Sequence, residues 1–347
     1  MSGTATGKYL SFIQKKFLFL LIIALVLLLV AGIAITIGSY DMTVMDVYRI
    51  IAQGILHQGD TTADLVIWNI RLPRVLLGIL AGAGLGICGA VLQAVLRNPL
   101  ASPFTLGITS AATFGASMAM ILGIGISGGS YIVIINAFVF TLIASFAIYL
   151  LAFTKKFTPG AIIMAGIAIS YLFGALTSFL QYIGTADAVQ QVVFWTLGSL
   201  GRANWFSVQV VAVILVISLP ILMWHSMDLN VLGSGDEVAK SMGVDVRRIR
   251  IITLILTSLI TAGIICFTGT IGFIGLVGPH ICRMIIGPDH RFLLPASALM
   301  GALILVCADI AARTLFAPQV IPIGIMTSFI GVPFFIFLFV KRRGMYW

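Results

Sequence analysis

Between Gly269 and Arg291 the chain reads GTIGFIGLVGPHICRMIIGPDHR. His280, Cys282 and His290 are of the kinds that bind first-row transition metals. Such a site needs ligands that converge at about 2 Å from one ion. Two residues apart on a helix, His280 and Cys282 point about 200° apart, and His290 lies beyond Gly287-Pro288, past the end of that helix. No metal site and no cofactor is expected. Glycine at every third position from Gly269 to Gly278 suits a tight reversal and close packing. Pro279 lacks an N–H and should kink its helix. His280 is expected to find a partner within the bundle, and Asp289, His290 and Arg291 to cap the neighbouring helix end. The stretch reads as architecture.

Other chemistry is sparse. Cys88, Cys266, Cys282 and Cys307 sit in apolar segments without paired spacing, so neither disulfides nor zinc are suggested. No phosphate-binding loop occurs: the Gly7-Lys8 pair is followed by Tyr9. Nucleophile elbows, H-E-x-x-H and haem-attachment motifs are also missing. No catalytic residue is proposed, and the chain by itself cannot hydrolyse ATP. Asp309 is the one acid well inside an apolar block, and buried carboxylates of that kind serve ion-coupled carriers. Arg313 lies four residues on, so a mutual i,i+4 pair is an equal reading.

The elements that must position these residues are built for lipid. Of 347 residues, 60% are hydrophobic and 9% charged, with mean hydropathy +1.15; a soluble domain carries roughly 25% charged residues. Apolar blocks long enough for a ~30 Å hydrocarbon core recur throughout. Helices must do the crossing, because lipid offers open backbone no partner. The sequence predicts an all-α polytopic membrane protein with a single transmembrane domain over 1–347. Ten spans are expected, near 17–38, 74–96, 104–126, 131–153, 160–183, 206–225, 251–268, 270–286, 292–312 and 321–340. The first exceeds a signal peptide's apolar run of ~7–15 residues and lacks a small-residue cleavage site, so it is read as retained. With residues 1–16 in the cytoplasm, Arg49, Arg71, Arg74, Arg202 and Arg313 fall outside, and the rest of the 20 lysines and arginines fall inside. This is the positive-inside bias. It makes the 341–347 tail cytoplasmic too, and attributes the +9 charge to topology, not to nucleic acid. Gly78, Gly82 and Gly86 share one face of the second span, where a neighbouring backbone can come close.

Two segments outside the spans carry charge. Residues 39–73 hold Asp41, Asp46, Asp60 and Asp64 and lead into RLPR. Arg71 and Arg74, three apart, could share a face. A charge at the bilayer centre costs ~2.5–3.5 kcal/mol, so RLPR is expected at the outer surface, offering forks to carboxylates or anchoring to lipid headgroups. Residues 226–250 read SMDLNVLGSGDEVAKSMGVDVRRIR. Val238 and Met242, four apart, mark a short amphipathic helix that Gly243 would stop. It is either a docking helix or an ordinary connection.

Several motifs then occur in order: RLPRVLLGILAGAGLGICGAVLQAVLRNPLASPFTLG (71–107), WTLGS (195–199), EVAKSMG (237–243), the opening stretch, and ADIAAR, IPIG and GVPF within 308–334. Together they resemble the FecCD-type permease family, the membrane subunits of ABC importers for iron-siderophores, haem and vitamin B12. The resemblance implies a type II ABC importer permease fold with ten helices, working by alternating access in a bacterial or archaeal cytoplasmic membrane. It implies a second permease subunit (a homo- or heterodimer), two ATP-binding subunits and an extracytoplasmic substrate-binding protein. On this resemblance Asp236, Glu237, Ala239, Met242 and Gly243 face the ATPase, and Arg71, Arg74 and Arg313 meet acids of the binding protein. Asn98, Pro99 and Leu100, with Thr158 and Pro159, form the cytoplasmic gate. The expected cargo is a ferric siderophore, otherwise haem or a cobalamin. The rivals are an ion-coupled secondary transporter using Asp309 and a non-transporting scaffold.

Overall fold

The computed structural model describes residues 2–38, 40, 42–54, 61–126 and 128–341, and within these every regular element is helical. Asp41, Asp60 and the tail arginines Arg342 and Arg343 lie outside the described residues. In chain order the helices are α1 (Ser2–Thr36), α2 (Val44–Gly54), α3 (Thr62–Val66), α4 (Leu72–Val95), α5 (Ile108–Leu122), α6 (Ile132–Phe153), α7 (Pro159–Ile183) and α8 (Ala186–Thr196). They continue as α9 (Trp205–Trp224), α10 (Ser226–Gly233), α11 (Asp236–Ser241), α12 (Val246–Thr268), α13 (Ile274–Ile286), α14 (His290–Thr314) and α15 (Ile323–Lys341).

Seven helical runs are long and apolar enough to cross a membrane. Three expected spans are shorter: α5, α13 and the Ile323–Phe337 part of α15. A helix of 13 residues, such as α13, covers about 20 Å at ~1.5 Å per residue, short of a ~30 Å core.

The segment 39–73 also differs from the expected loop. Thr61 and Asp64 form a capping box that starts α3, and a π turn, Ile67–Arg71, joins α3 to α4 without a break. RLPR therefore lies inside a long helix instead of ahead of one.

Helix α4 is buried almost end to end, because its glycines and alanines let neighbours approach on every side. Its most extensive partner is α14. Any Cβ on Gly82 or Gly86 would run into the α14 backbone at Gly301 or Ser297, and one on Gly89 would strike Gly275 of α13. Helix α12 closes a third side, against α6 and α9. By contrast α7 and α15 leave large side chains such as Met164, Tyr171, Phe179, Phe329 and Ile336 exposed.

Where helices break inside the bundle, the loose backbone ends bond one another. Ser199 N donates to Thr268 O at 2.7 Å, Ile323 N to Gly198 O at 3.1 Å and Gly324 N to Leu197 O at 2.9 Å. Buried backbone away from water needs such partners. Gly198 (φ 72°) and Gly269 (φ 68°) take the left-handed turns that the reversals require.

Candidate functional site

Beside these breaks, near Ser102–Thr105, lies a cleft of about 480 Å³. Phe104, Phe273 and Phe329 wall it together with the hydroxyls of Thr105, Thr196 and Ser328, and none of its lining residues is charged. Among the described residues no group of three or more His, Cys, Asp or Glu gathers to hold a metal. The cleft can therefore hold an apolar, hydroxyl-tolerant solute, and its lining places no charged ligand against a bare cation.

One end of the bundle carries the arginines expected to point outward, and their forks are turned inward. Arg71 is buried and donates to the carbonyls of Ile35, Thr36 and Tyr40, capping the end of α1. Arg74 grips Asp309 with two nitrogens, Nη2 at 2.8 Å and Nε at 3.0 Å. Arg313 holds the other Asp309 oxygen at 2.9 Å and reaches the carbonyls of Ile37 and Ala34. Arg71 and Arg74 thus serve different neighbours despite their three-residue spacing. The cause is the helix itself: residues inside a packed helix must find partners inside the bundle. The Asp309–Arg313 pair was legible from its i,i+4 spacing. Arg74 was not, because 235 residues separate it from its partner.

At the opposite end of α4, α10 packs against α4 and α14, and α11 against α10 and α12. Glycine at 243 (φ 84°) stops α11 as its sequence requires. Glu237, Val238, Met242 and Gly243 are exposed, but two residues expected to face outward are not. Ala239 is fully buried, as the inward face of a short helix must be. Asp236 turns in to a bidentate pair with Arg250, at 2.7 and 2.8 Å, with Arg97 at 3.4 Å. These contacts, Arg250 first, hold its carboxyl below the usual range. Arg250 was missed in the sequence, yet it lies one turn from Val246 and Leu254 on the buried face of α12, which was the available signal.

The expected gate residues are turn and cap residues. Asn98 Oδ1 accepts from Leu100 N at 2.9 Å, Pro99 lies between them, and Leu100 is exposed. Thr158 N-caps α7 and Pro159 occupies its first turn, the position that proline favours.

In the opening stretch Pro279 lies inside α13, and Asp289 caps α14. His280 is buried, with its ring edge-on to Phe334. Cys282 is buried elsewhere on α13. His290 begins α14 and bonds Asn230 of α10 through Nδ1 at 2.7 Å. Asp289 also accepts from Asn230 and Arg291; Arg291 above all holds its carboxyl well below the usual range.

The chain is thus a bundle of apolar helices with an uncharged cleft and a short surface helix at one end. The FecCD transport family model matches residues 21–341, and the chain belongs to that family. It is similar to the cobalamin import system permease protein BtuC of Halobacterium salinarum, 40% identical over 81% of this chain and 75% of the relative. It is also similar to the hemin transport system permease protein HmuU of Yersinia pestis, 39% identical over 80% of this chain and 84% of the relative. A solved inward-facing conformation of a metal-chelate type ABC transporter matches with TM-score 0.82 and 33% identity, covering 93% of this chain and 98% of that one. The chain is a multi-pass permease subunit of an ABC transporter, and ATP hydrolysis belongs to separate subunits.

Proposed function

We propose that the chain forms one half of the pathway of a metal-chelate importer, whose cargo is a ferric siderophore first, and haem or a cobalamin otherwise. The uncharged cleft carries this reading. Free metal ions need oxygen, nitrogen or sulfur ligands to replace their water. A chelate brings those ligands and asks the protein only for apolar and hydroxyl contacts. The relatives named for cobalamin and hemin carry cargo of this type.

The charge bias supports ten crossings with both termini in the cytoplasm. On that orientation Glu237, Val238, Met242 and Gly243 contact an ATP-binding subunit, while Asp236 and Ala239 hold α11 to the bundle. Asn98, Pro99, Leu100, Thr158 and Pro159 form the gate between the cleft and the cytoplasm. Outside, two guanidiniums share the single Asp309 carboxylate, and among the described residues Arg71 is held by carbonyls, which leave its positive charge in place. Arg71, Arg74 and Arg313 therefore attract an acidic binding protein through their net positive field rather than through free forks. The exposed Arg49 and Arg202 offer direct contacts beside them. The ion-coupled alternative would need Asp309 to exchange a proton or ion, and its oxygens are already engaged by Arg74 and Arg313.

The test is purification from native membranes in mild detergent, mass spectrometry of the co-purifying chains, and uptake by proteoliposomes of ferrichrome, haemin or cyanocobalamin. An equimolar ATP-binding chain, lost on Glu237→Arg with Met242→Arg, and ATP-dependent uptake of one probe are expected. A lone protein that transports on an ion gradient would overturn the reading.

A further inference from the structure

Resting on that reading, we infer that Arg250, with Asp236, is the rigid link that makes the gate follow α11. One guanidinium touches all three parts. Its Nη1 and Nη2 hold Asp236, the first residue of α11, at 2.8 and 2.7 Å. Nη1 also donates to Phe157 O at 3.2 Å, immediately before Thr158. Nε reaches Val95 O at 3.4 Å, at the end of α4 and three residues before Asn98. Arg250 is 2% exposed.

The backbone at these contacts carries strain. Among the described residues four non-glycine positions have positive φ, and three of them are Arg97 (47°), Lys156 (55°) and Phe157 (54°). Such conformations persist only where the surroundings over-determine them, and they gather at switching segments. Here they flank both halves of the gate, and Arg250 pins the carbonyl of one of them.

A guanidinium is planar, and its donors keep a fixed mutual geometry. When α11 is displaced, Arg250 either carries Val95 and Phe157 along or abandons a buried partner. Leaving a buried charge unpaired is the costlier course, so the displacement is passed on. A lysine at this place keeps the charge but has one nitrogen, and cannot hold three groups in fixed relation.

The test uses the complete transporter with its ATP-binding partner, in nanodiscs, and a Cys307→Ser background. One nitroxide is placed at Ser241→Cys on α11 or at Lys155→Cys beside the gate loop, with ATP and vanadate as the probe. Both labels respond in the otherwise native protein. In Arg250→Lys, and in Asp236→Asn as a second variant that leaves the buried arginine in place, ATP hydrolysis and the response at 241 persist. The response at 155 falls about tenfold, within the usual range of coupling between sites. Asp236→Glu, which keeps two acceptor oxygens, recovers it. A full response at 155 in Arg250→Lys or Asp236→Asn overturns the link alone. A label at 241 indifferent to ATP in the native protein overturns the importer reading together with it.

Discussion

Asp309 offers four lone-pair positions to two guanidinium forks, from Arg74 and Arg313, in a setting where its side chain is 4% exposed. Neither arginine has a second carboxylate partner among the described residues. Removal of Asp309 leaves two largely buried cations facing each other, and breaking a buried pair costs about 3–5 kcal/mol. Asp309→Ala is expected to lower the unfolding temperature in detergent clearly, with Asp309→Asn intermediate because it still accepts hydrogen bonds. Fluorescence-detected size exclusion after heating measures this. The exposed Lys240–Glu237 pair, at 3.0 Å, is the contrast: surface pairs are worth about 0–1 kcal/mol, so Glu237→Gln should leave the unfolding temperature unchanged. A stable Asp309→Ala protein that loses its response to a pH gradient would return Asp309 to an ion-coupling role.

At the scale of elements, α11 shows why a helix of six residues stays in place. It has Ala239 in the core and Asp236 on Arg250 and Arg97. The Asp236 carboxyl is held below its ordinary pKa, first by Arg250. A depressed folded pKa contributes stability above the unfolded value of about 4, and that contribution is lost only as pH falls through the lower folded value. The Asp236–Arg250 contact should therefore hold from about pH 7 to about pH 5, and a nitroxide at Lys155→Cys beside the gate loop should gain mobility only below about pH 4. Release near pH 6 would assign the contact to a histidine instead. The existence of α11 and its stop at Gly243 were legible, because Val238, Met242 and a terminal glycine are local signals. Its orientation was not: alanine fits either face, and Asp236 finds its partner on the next helix. The reversal at 268–270 was legible from its glycines, but the cross-bonds that tie it to 196–199 and to the start of α15 were not, since they join distant parts of the chain.

On the scale of the whole molecule, the cleft is partly open. Gly324, Ile325, Ser328 and Phe329 at the start of α15 line it, and Phe329 is also widely exposed. Helix α7 packs against α5, with Ser170 bonded to Ser110 at 3.0 Å. It leaves Tyr171, near its midpoint, 78% exposed. Tyrosines that face lipid concentrate at the membrane–water boundary, where the hydroxyl finds water. A mid-helix tyrosine left open fits a protein neighbour or a wet pathway better than acyl chains. A second permease subunit against α7 and α15 would close the cleft and give that hydroxyl partners. The check is Tyr171→Cys in a Cys307→Ser background, oxidised in native membranes, with Leu28→Cys on the exposed side of α1 as the lipid-facing control. A disulfide-linked pair of this chain is expected at 171 and not at 28 for a homodimer; for a heterodimer, a bifunctional thiol–amine reagent at 171 links it to a different permease chain. If position 171 matches position 28 in both cross-linking and accessibility to lipid-soluble reagents, the open wall faces acyl chains and the pathway lies within a single chain.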